Sequence, residues 1–309
     1  MDFSVVVPVY GCREALPELH RRLVAVFEKM NSSFEIVLVD DHDPQNSWEE
    51  VERICQVDNR VHGIKLSRNF GQIRAITAGL DACHGNWVIV MDCDLQDRPE
   101  AIPQLFKKAQ EGFDVVFARR VERKDSAITL FLSQAFYKVY DYFTDGTYDA
   151  SLCNFSISRR IVIENYCKMR EHNRGYTMFI KWLGFRQSAI EIEGDERFSG
   201  SSSYSMRKKL SMAFELITAQ SNKPLRLSVN MGFVIAFAAL IFLIISVIRR
   251  LAFQDITAGW TSVISSIFLM GGLMLAAIGV VGLYVGNIFT EVKQRPLYVV
   301  EREINGSEE

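Results

Sequence analysis

Apolar residues occur in short unbroken runs over the first part of the chain, and between the runs they recur at helical spacing. SVVVPVYG (4–11), FEIVLVDD (34–41), VHGIKLSRNFGQ (61–72) and WVIVMDCD (87–94) each start apolar and end in polar or turn-forming residues. Runs of this kind read as strands buried on both faces of an α/β sheet. Amphipathic stretches at about 16–30, 47–57 and 73–83 lie between them and read as helices. The order βαβαβαβ predicts a parallel, doubly wound, Rossmann-like sheet. A helix at 100–111 and the strand FDVVFARR (113–120) extend it. The aromatic, amphipathic segment 128–143 suits a membrane surface, a neighbouring subunit or internal packing. DASLCNFSISRR (149–160) leads into helices at 161–169 and about 176–182, then the strand QSAIEIEG (187–194). The glycine- and serine-rich stretch 196–205 reads as a loop able to close over a ligand.

The pattern breaks near residue 224. No charged side chain occurs from Leu227 to Ile248 or from Ile256 to Thr290. Each run exceeds the roughly 20 residues that cross a bilayer. A two-helix transmembrane hairpin is expected, with Arg249 to Asp255 as its turn. Arg207, Lys208, Lys209, Lys223 and Arg226 precede the hairpin, and Lys293, Arg295 and Arg302 follow it, against only Arg249 and Arg250 in the turn. By the positive-inside rule both termini and the globular domain are cytoplasmic, at the inner membrane. The expected parts are a catalytic domain (1–203), an interfacial amphipathic helix (204–224), two spans (225–290) and a cytoplasmic tail (291–309).

Composition narrows the functions. A net charge of −2 over 309 residues gives no reason to expect nucleic acid as a partner. The six cysteines contain no CxxC pair, so neither a zinc site nor a redox motif is indicated, and a reduced cytosolic setting follows. The N-terminus opens directly on a strand, without the features of a secretory signal.

Ligands in α/β sheets bind beyond the carboxyl ends of the strands, and the polar groups gather there. Asp92 and Asp94 are two apart, so on extended backbone both carboxylates face one way. Two such oxygen ligands suit Mg²⁺ or Mn²⁺ sharing its shell with substrate phosphates, so a nucleotide diphosphate is expected. Turn capping by the same aspartates is the plainer alternative. Cys93, inside the motif, should face the other way, into the core. Pro8 breaks its strand's ladder and Tyr10 offers a flat face to a nucleobase, although an aromatic there is as often core. Asp40 and Asp41 could accept hydrogen bonds from a base or ribose, and Ser67 and Arg68 end the next strand. Arg120, Arg123 and Arg197 are placed to meet phosphate charge.

Taken with VVVPVYG, VLVDD, LSRNFGQ, ITAGLDACHGNWVIVMDCDLQDRPE, the R-x-x-R at 120–123, ERFSG and EVKQRPLY, the chain resembles glycosyltransferase family 2. Within it, the resemblance is to the polyisoprenyl-phosphate glycosyltransferases, which include bactoprenol glucosyltransferases of O-antigen and lipopolysaccharide modification in the cell envelope. The resemblance implies a glycosyltransferase-A fold and inverting transfer of a sugar from a nucleotide-sugar donor, a UDP-sugar by expectation, to undecaprenyl phosphate. It implies that Pro8, Tyr10, Asp40 and Asp41 hold base and ribose, that Asp92, Asp94 and Gln96 serve the metal, and that Arg120 and Arg197 bind phosphates. A homo-oligomer, a tetramer in many relatives, is implied too.

The chain departs from the family pattern at several positions. Gly11-Cys12 replaces Asn-Glu, His42-Asp43 replaces Gly-Ser, Ser203 replaces a lysine of the closing loop, and Asn154 stands where the family has an aspartate often proposed as the base. A hydroxyl acceptor must lose a proton as it attacks. A phosphate monoester, with a second pKa of about 6, is already mostly anionic at neutral pH. Asn154 therefore suits a lipid phosphate acceptor, which it could orient. Asp149 as the carboxylate, a weakened paralogue acting as a nucleotide-sugar-binding scaffold, and a transferase acting on a saccharide hydroxyl are the alternatives.

Overall fold

The computed structural model of the chain describes residues 1–120, 152–192, 221, 223–253 and 260–306. These fall into two compact units, one holding 1–120, 152–192 and 295–306, the other the residues from 221 to 294.

The first unit is built on an eight-stranded sheet of order β7-β5-β6-β4-β1-β2-β3-β8. Strands β1 (Phe3–Val9) and β2 (Phe34–Asp40) are buried at every position, as their unbroken apolar runs require. Helix α1 (Leu16–Met30) lies between them in sequence, with Leu16, Leu19, Leu23, Val26 and Phe27 buried along one stripe. Asn31 ends it in the left-handed conformation that commonly closes helices. The rings of Phe3, Phe27, Phe34 and Phe106 join strands and helices on that face. Helix α2 (Ser47–Val57) leads to β3 (Val61–Leu66), and α3 (Gln72–Ala82) to β4 (Trp87–Val90). Helix α3 packs closely on the sheet at Gly79, where a Cβ would stand 2.4 Å from Val6 Cγ1. The four strands β3-β2-β1-β4 are parallel, as the sequence predicts.

Beyond β4 the sheet is mixed, which corrects the expectation of a wholly parallel sheet. After α4 (Ile102–Ala109) and β5 (Val115–Arg120), strand β6 (Leu152–Arg159) enters between β4 and β5, antiparallel to both. Its polar residues disguise it. Ser156 and Ser158 are fully buried, and Ser156 Oγ lies 2.9 Å from Tyr176 Oη, so a buried hydroxyl network replaces the apolar run. Helices α5 (Arg160–Lys168) and α6 (Tyr176–Trp182) follow, and β7 (Gln187–Ile192) closes one edge, parallel to β5.

The opposite edge holds the second departure. Strand β8 (Val300–Ile304), within the expected tail, pairs antiparallel with β3. Glu303 bonds His62 at 2.7 Å, Glu301 bonds Lys65 at 3.1 Å, and Asn305 donates to the carbonyls of Cys55 and Val61. Just before β8, Tyr298 donates to Asp81 at 2.7 Å, a carboxylate that also accepts both arms of Arg170. An exposed sheet edge invites pairing with other chains, and β8 covers this one.

The second unit holds two long helices, α7 (Lys223–Phe253) and α8 (Trp260–Val292). Among the described residues, Leu269–Val292 is long and apolar enough to cross a membrane, with mean hydropathy 2.0 and none of it buried. Segment 128–143, the loop 196–205 and the helix expected at 204–224, apart from Ser221, Lys223 and Pro224, lie outside the described residues.

Candidate active site

Strands β1, β2 and β3 end level with one another, since Val9 pairs with Asp40 and Asp40 with Lys65. Strand β4 parts from β1 earlier. Its last ladder pair is Val6 with Val90, followed by one bond from Met91 N to Val6 O at 3.2 Å. Residues two apart in a parallel strand bond to the same side, so the nitrogen of Pro8 faces the β4 side just past that bond. A proline is tolerated in this central strand because no ladder partner remains there. Its ring is buried, so Pro8 shapes the edge through the backbone.

Past β4 the chain keeps a two-residue alternation. Met91, Cys93, Leu95 and Asp97 are buried, while Asp92, Asp94 and Gln96 are partly exposed. The two carboxylates thus share a side and Cys93 points inward, as period 2 requires. Leu95 sits at φ 61°, the left-handed region that non-glycine residues rarely adopt and that clusters at functional sites. Gln96 N donates to Asp94 Oδ1 at 3.1 Å, a turn bond of the capping type. Gln72, the first residue of α3, donates from Nε2 to Asp92 Oδ1 at 2.7 Å. Sequence reading missed Gln72, whose only signal was its place after a glycine; Gly71, at φ +96°, allows the turn into α3.

Strand β6 brings in Asn154. Val90 pairs with Ser156, the last antiparallel pair of β4 and β6, and Asn154 comes two residues before Ser156, where β6 also shifts register against β5. The asparagine thus lies near the end of β6 that borders the chain leaving β4.

The two aspartates after β2 differ. Asp41 accepts the backbone N–H groups of Phe70 at 2.7 Å and Gly71 at 2.8 Å, pinning the loop that leads to Gln72. Burial raises its pKa, and those two bonds oppose the rise. Asp40, also buried, accepts only a 3.3 Å bond from Asp43 N among the contacts described for it. Burial lifts its carboxyl to about 6, with the Asp43 bond opposing. A buried acid held this far from its ordinary range at a strand end is a candidate functional group.

Tyr10 follows β1 and is 52% exposed, which leaves its ring face open. Ser67, Arg68 and Asn69 are exposed. Ser67 N bonds Val299 O at 2.9 Å, and the Arg68 guanidinium lies 4.1 Å over the Phe70 ring. Arg74 donates to Phe70 O at 2.8 Å, bracing the same loop from α3. Arg120 ends β5 opposite Ile192. Arg123, Asp149, Arg197 and Ser203 lie outside the described residues.

Two half-exposed carboxylates on one side of a chain fit Mg²⁺ or Mn²⁺, which takes one or two protein carboxylates and completes its shell with water and phosphate. Among the described residues no group of three His, Cys, Asp or Glu side chains could hold an ion by itself. Asp92 and Asp94 would hold it together with a substrate's phosphates.

Cys12 and Cys93 form a disulfide, their Cα atoms 6.1 Å apart and 81 residues apart in sequence. This corrects the expectation of wholly reduced cysteines. The pairing joins two strand ends that only the sheet brings together, so no local Cys spacing announced it.

The profile described as Glycosyl transferase family 2 matches residues 4–176. A Bacillus subtilis (strain 168) protein named as the uncharacterized glycosyltransferase YkcC is 34% identical over 98% of this chain and 94% of its own length. The undecaprenyl-phosphate 4-deoxy-4-formamido-L-arabinose transferase of Proteus mirabilis (strain HI4320) is 33% identical, covering 97% of this chain and 93% of that protein. The prophage bactoprenol glucosyl transferase homolog of Escherichia coli (strain K12) is 32% identical, covering 98% and 99%. Mixed sheet, strand-end carboxylates and end-to-end similarity agree: this chain is a glycosyltransferase with a glycosyltransferase-A-like fold, and it belongs to glycosyl transferase family 2.

Proposed function

We propose that this glycosyltransferase moves a sugar, with inversion, from a uridine-diphosphate donor to a polyisoprenyl phosphate at the cytoplasmic face of a membrane. The observation that carries the proposal is the placement of Asp92 and Asp94 on one side of the chain leaving β4, at the edge where Tyr10, Asp40 and Asn154 also lie. The acceptor class is that of two relatives named above, which match this chain nearly end to end.

A bound Mg²⁺ or Mn²⁺ would neutralise the diphosphate and stabilise it as a leaving group. Asp92 and Asp94 hold the ion, with Gln72 fixing the direction of the Asp92 carboxylate. Tyr10 stacks on the base, and Asp40 accepts a hydrogen bond from its imino group. Arg120, Arg123 and Arg197 orient phosphates, so positioning supplies most of the catalysis. Asn154 turns the acceptor phosphate toward the anomeric carbon. No base is required there, because that oxygen is already anionic near neutral pH.

The apolar Leu269–Val292 helix and the return of the chain to the sheet at β8 support membrane anchoring. Because 1–120, 152–192 and 295–306 belong to one unit, the chain between 192 and 295 would cross the membrane an even number of times, as a hairpin of α7 and α8 would. The expected homo-oligomer belongs to the same proposal.

The test is to incubate membranes carrying the protein with undecaprenyl phosphate and a panel of nucleotide sugars, then identify the glycolipid by mass spectrometry. Product should form with one UDP-sugar, require Mg²⁺ or Mn²⁺, and disappear with EDTA or with Asp94→Ala. Full activity of Asp94→Ala at saturating metal would remove the metal assignment, and sugar found on a saccharide hydroxyl would remove the acceptor.

A further inference from the structure

The Cys12–Cys93 bond ties the two halves of the proposed donor site covalently, inside a core that Val9, Cys12 and Ala15 share with Met91, Cys93 and Leu95. Cys12 comes two residues after Tyr10, and its carbonyl accepts Ala15 N at 2.9 Å, closing the short turn Arg13–Ala15. Cys93 sits between Asp92 and Asp94. The β1–β4 ladder stops at Val6 and Val90, with one bond more from Met91. Beyond it, the disulfide adds a covalent link between the Tyr10 loop and the segment that carries the aspartate pair.

We propose that Cys12 and Cys93 are a reversible thiol–disulfide site whose state sets the affinity for the nucleotide donor. Bonded, the pair holds the Tyr10 face and the two carboxylates at a fixed spacing, so less ordering remains for the donor to impose. As a dithiol, the loop and the motif separate and the donor binds more weakly. This rests on the donor site proposed above.

The oxidant is a small-molecule disulfide. The thiolate of one cysteine attacks a sulfur of R–S–S–R and expels one thiolate RS⁻. The second cysteine's thiolate then attacks the mixed disulfide, forms the Cys12–Cys93 bond and expels the second RS⁻. The two protons lost by the cysteines end on the two released thiols, and the pair's two electrons reduce the small disulfide. A dithiol reverses both steps. Cys12 and Cys93 are 3% and 6% exposed, so exchange requires the loop to move, and a bound nucleotide should slow it.

The full-length protein in detergent is equilibrated with oxidised glutathione or with dithiothreitol, and its cysteines are mapped by alkylation and mass spectrometry. UDP binding in the presence of Mn²⁺ is then titrated in both states, and amide hydrogen exchange is followed at 9–13 and 91–95. The oxidised protein should bind UDP about tenfold more tightly, the scale of a preorganisation effect, and exchange in both segments should rise on reduction. Cys12→Ser and Cys93→Ser should each behave as the reduced protein and ignore either reagent. The proposal is overturned if both cysteines remain alkylatable after oxidised glutathione. It is equally overturned if affinity and exchange match in the two states, which would leave a plain structural cross-link. If UDP binds in neither state while exchange still rises on reduction, the donor site is wrong and the coupling of loop to motif stands.

Discussion

The side-chain amide of Gln72 sits 2.7 Å from Asp92 Oδ1 and so commits that oxygen, orienting the carboxylate of a proposed metal ligand from the first position of a neighbouring helix. Groups that orient a ligand carboxylate commonly change metal affinity 10- to 100-fold when removed. Gln72→Ala should weaken Mn²⁺ by about tenfold on that scale, with kcat at saturating metal little changed. Gln72→Glu, which sets a second acceptor against Asp92, should weaken Mn²⁺ at least as much. Direct Mn²⁺ titration, alongside the metal dependence of turnover, tests this; equal affinity in all three proteins would show that the contact is incidental.

Asp40 should make stability and function pull in opposite directions with pH. Its carboxyl is lifted from 3.8 to about 6 by burial, so the folded state binds a proton that the unfolded state has already lost between those values. The cost of the buried charge is absent below about pH 4 and complete above about pH 6, with an upper scale of roughly 3 kcal/mol. Asp40→Asn should therefore raise the melting temperature at pH 7.5 and leave it unchanged at pH 4. UDP affinity of the natural protein should increase from pH 5 to pH 7 as Asp40 ionises, and that dependence should vanish in Asp40→Asn.

Its neighbour should respond the other way. Asp41 satisfies the N–H groups of Phe70 and Gly71 with its two separate oxygens, and an asparagine would set an NH2 group against one of those donors. Asp41→Asn or Asp41→Ala should cost about 1–3 kcal/mol, the scale for a buried donor left unmet. Denaturant unfolding would register the loss. Because the 67–71 loop leads into Gln72, Mn²⁺ affinity should fall as well.

The strap around Asp81 can be divided by substitution. Tyr298→Phe removes one bond to a carboxylate still held by Arg170 and should cost about 1 kcal/mol. Removing residues 295–309 takes away β8 and bares the β3 edge, so the shortened protein should aggregate, as light scattering would show. A truncated chain that stayed monodisperse and active would mean that β8 is dispensable.

The parallel core was legible because β1, β2 and β4 are apolar throughout and end in polar residues, a pattern with few other readings. Asp92 and Asp94 were legible because period 2 fixes their common side. Strand β6 was not, since its buried serines break the apolar run, and Ser156 is satisfied by Tyr176, which sequence does not place nearby. Strand β8, exposed along most of its length, carries no apolar run and is held by ion pairs and backbone bonds to distant residues. Gln72 and the Cys12–Cys93 pair escaped for a related reason: each matters through a partner brought close only by the finished sheet.

Among the described elements, β8 follows both long helices in the chain and borders β3, the strand that ends at the 67–71 loop. Ser67, which opens that loop, donates its backbone N–H to Val299 O, and the ribosome reaches Val299 only after both long helices have been made. A nascent chain can thus assemble β1 to β4 early yet must hold the loop incompletely framed until its apolar helices have left the tunnel. The backbone pairing that frames the 67–71 loop can thus form only after both long helices have been made, which places them ahead of the finished sheet edge in the order of assembly.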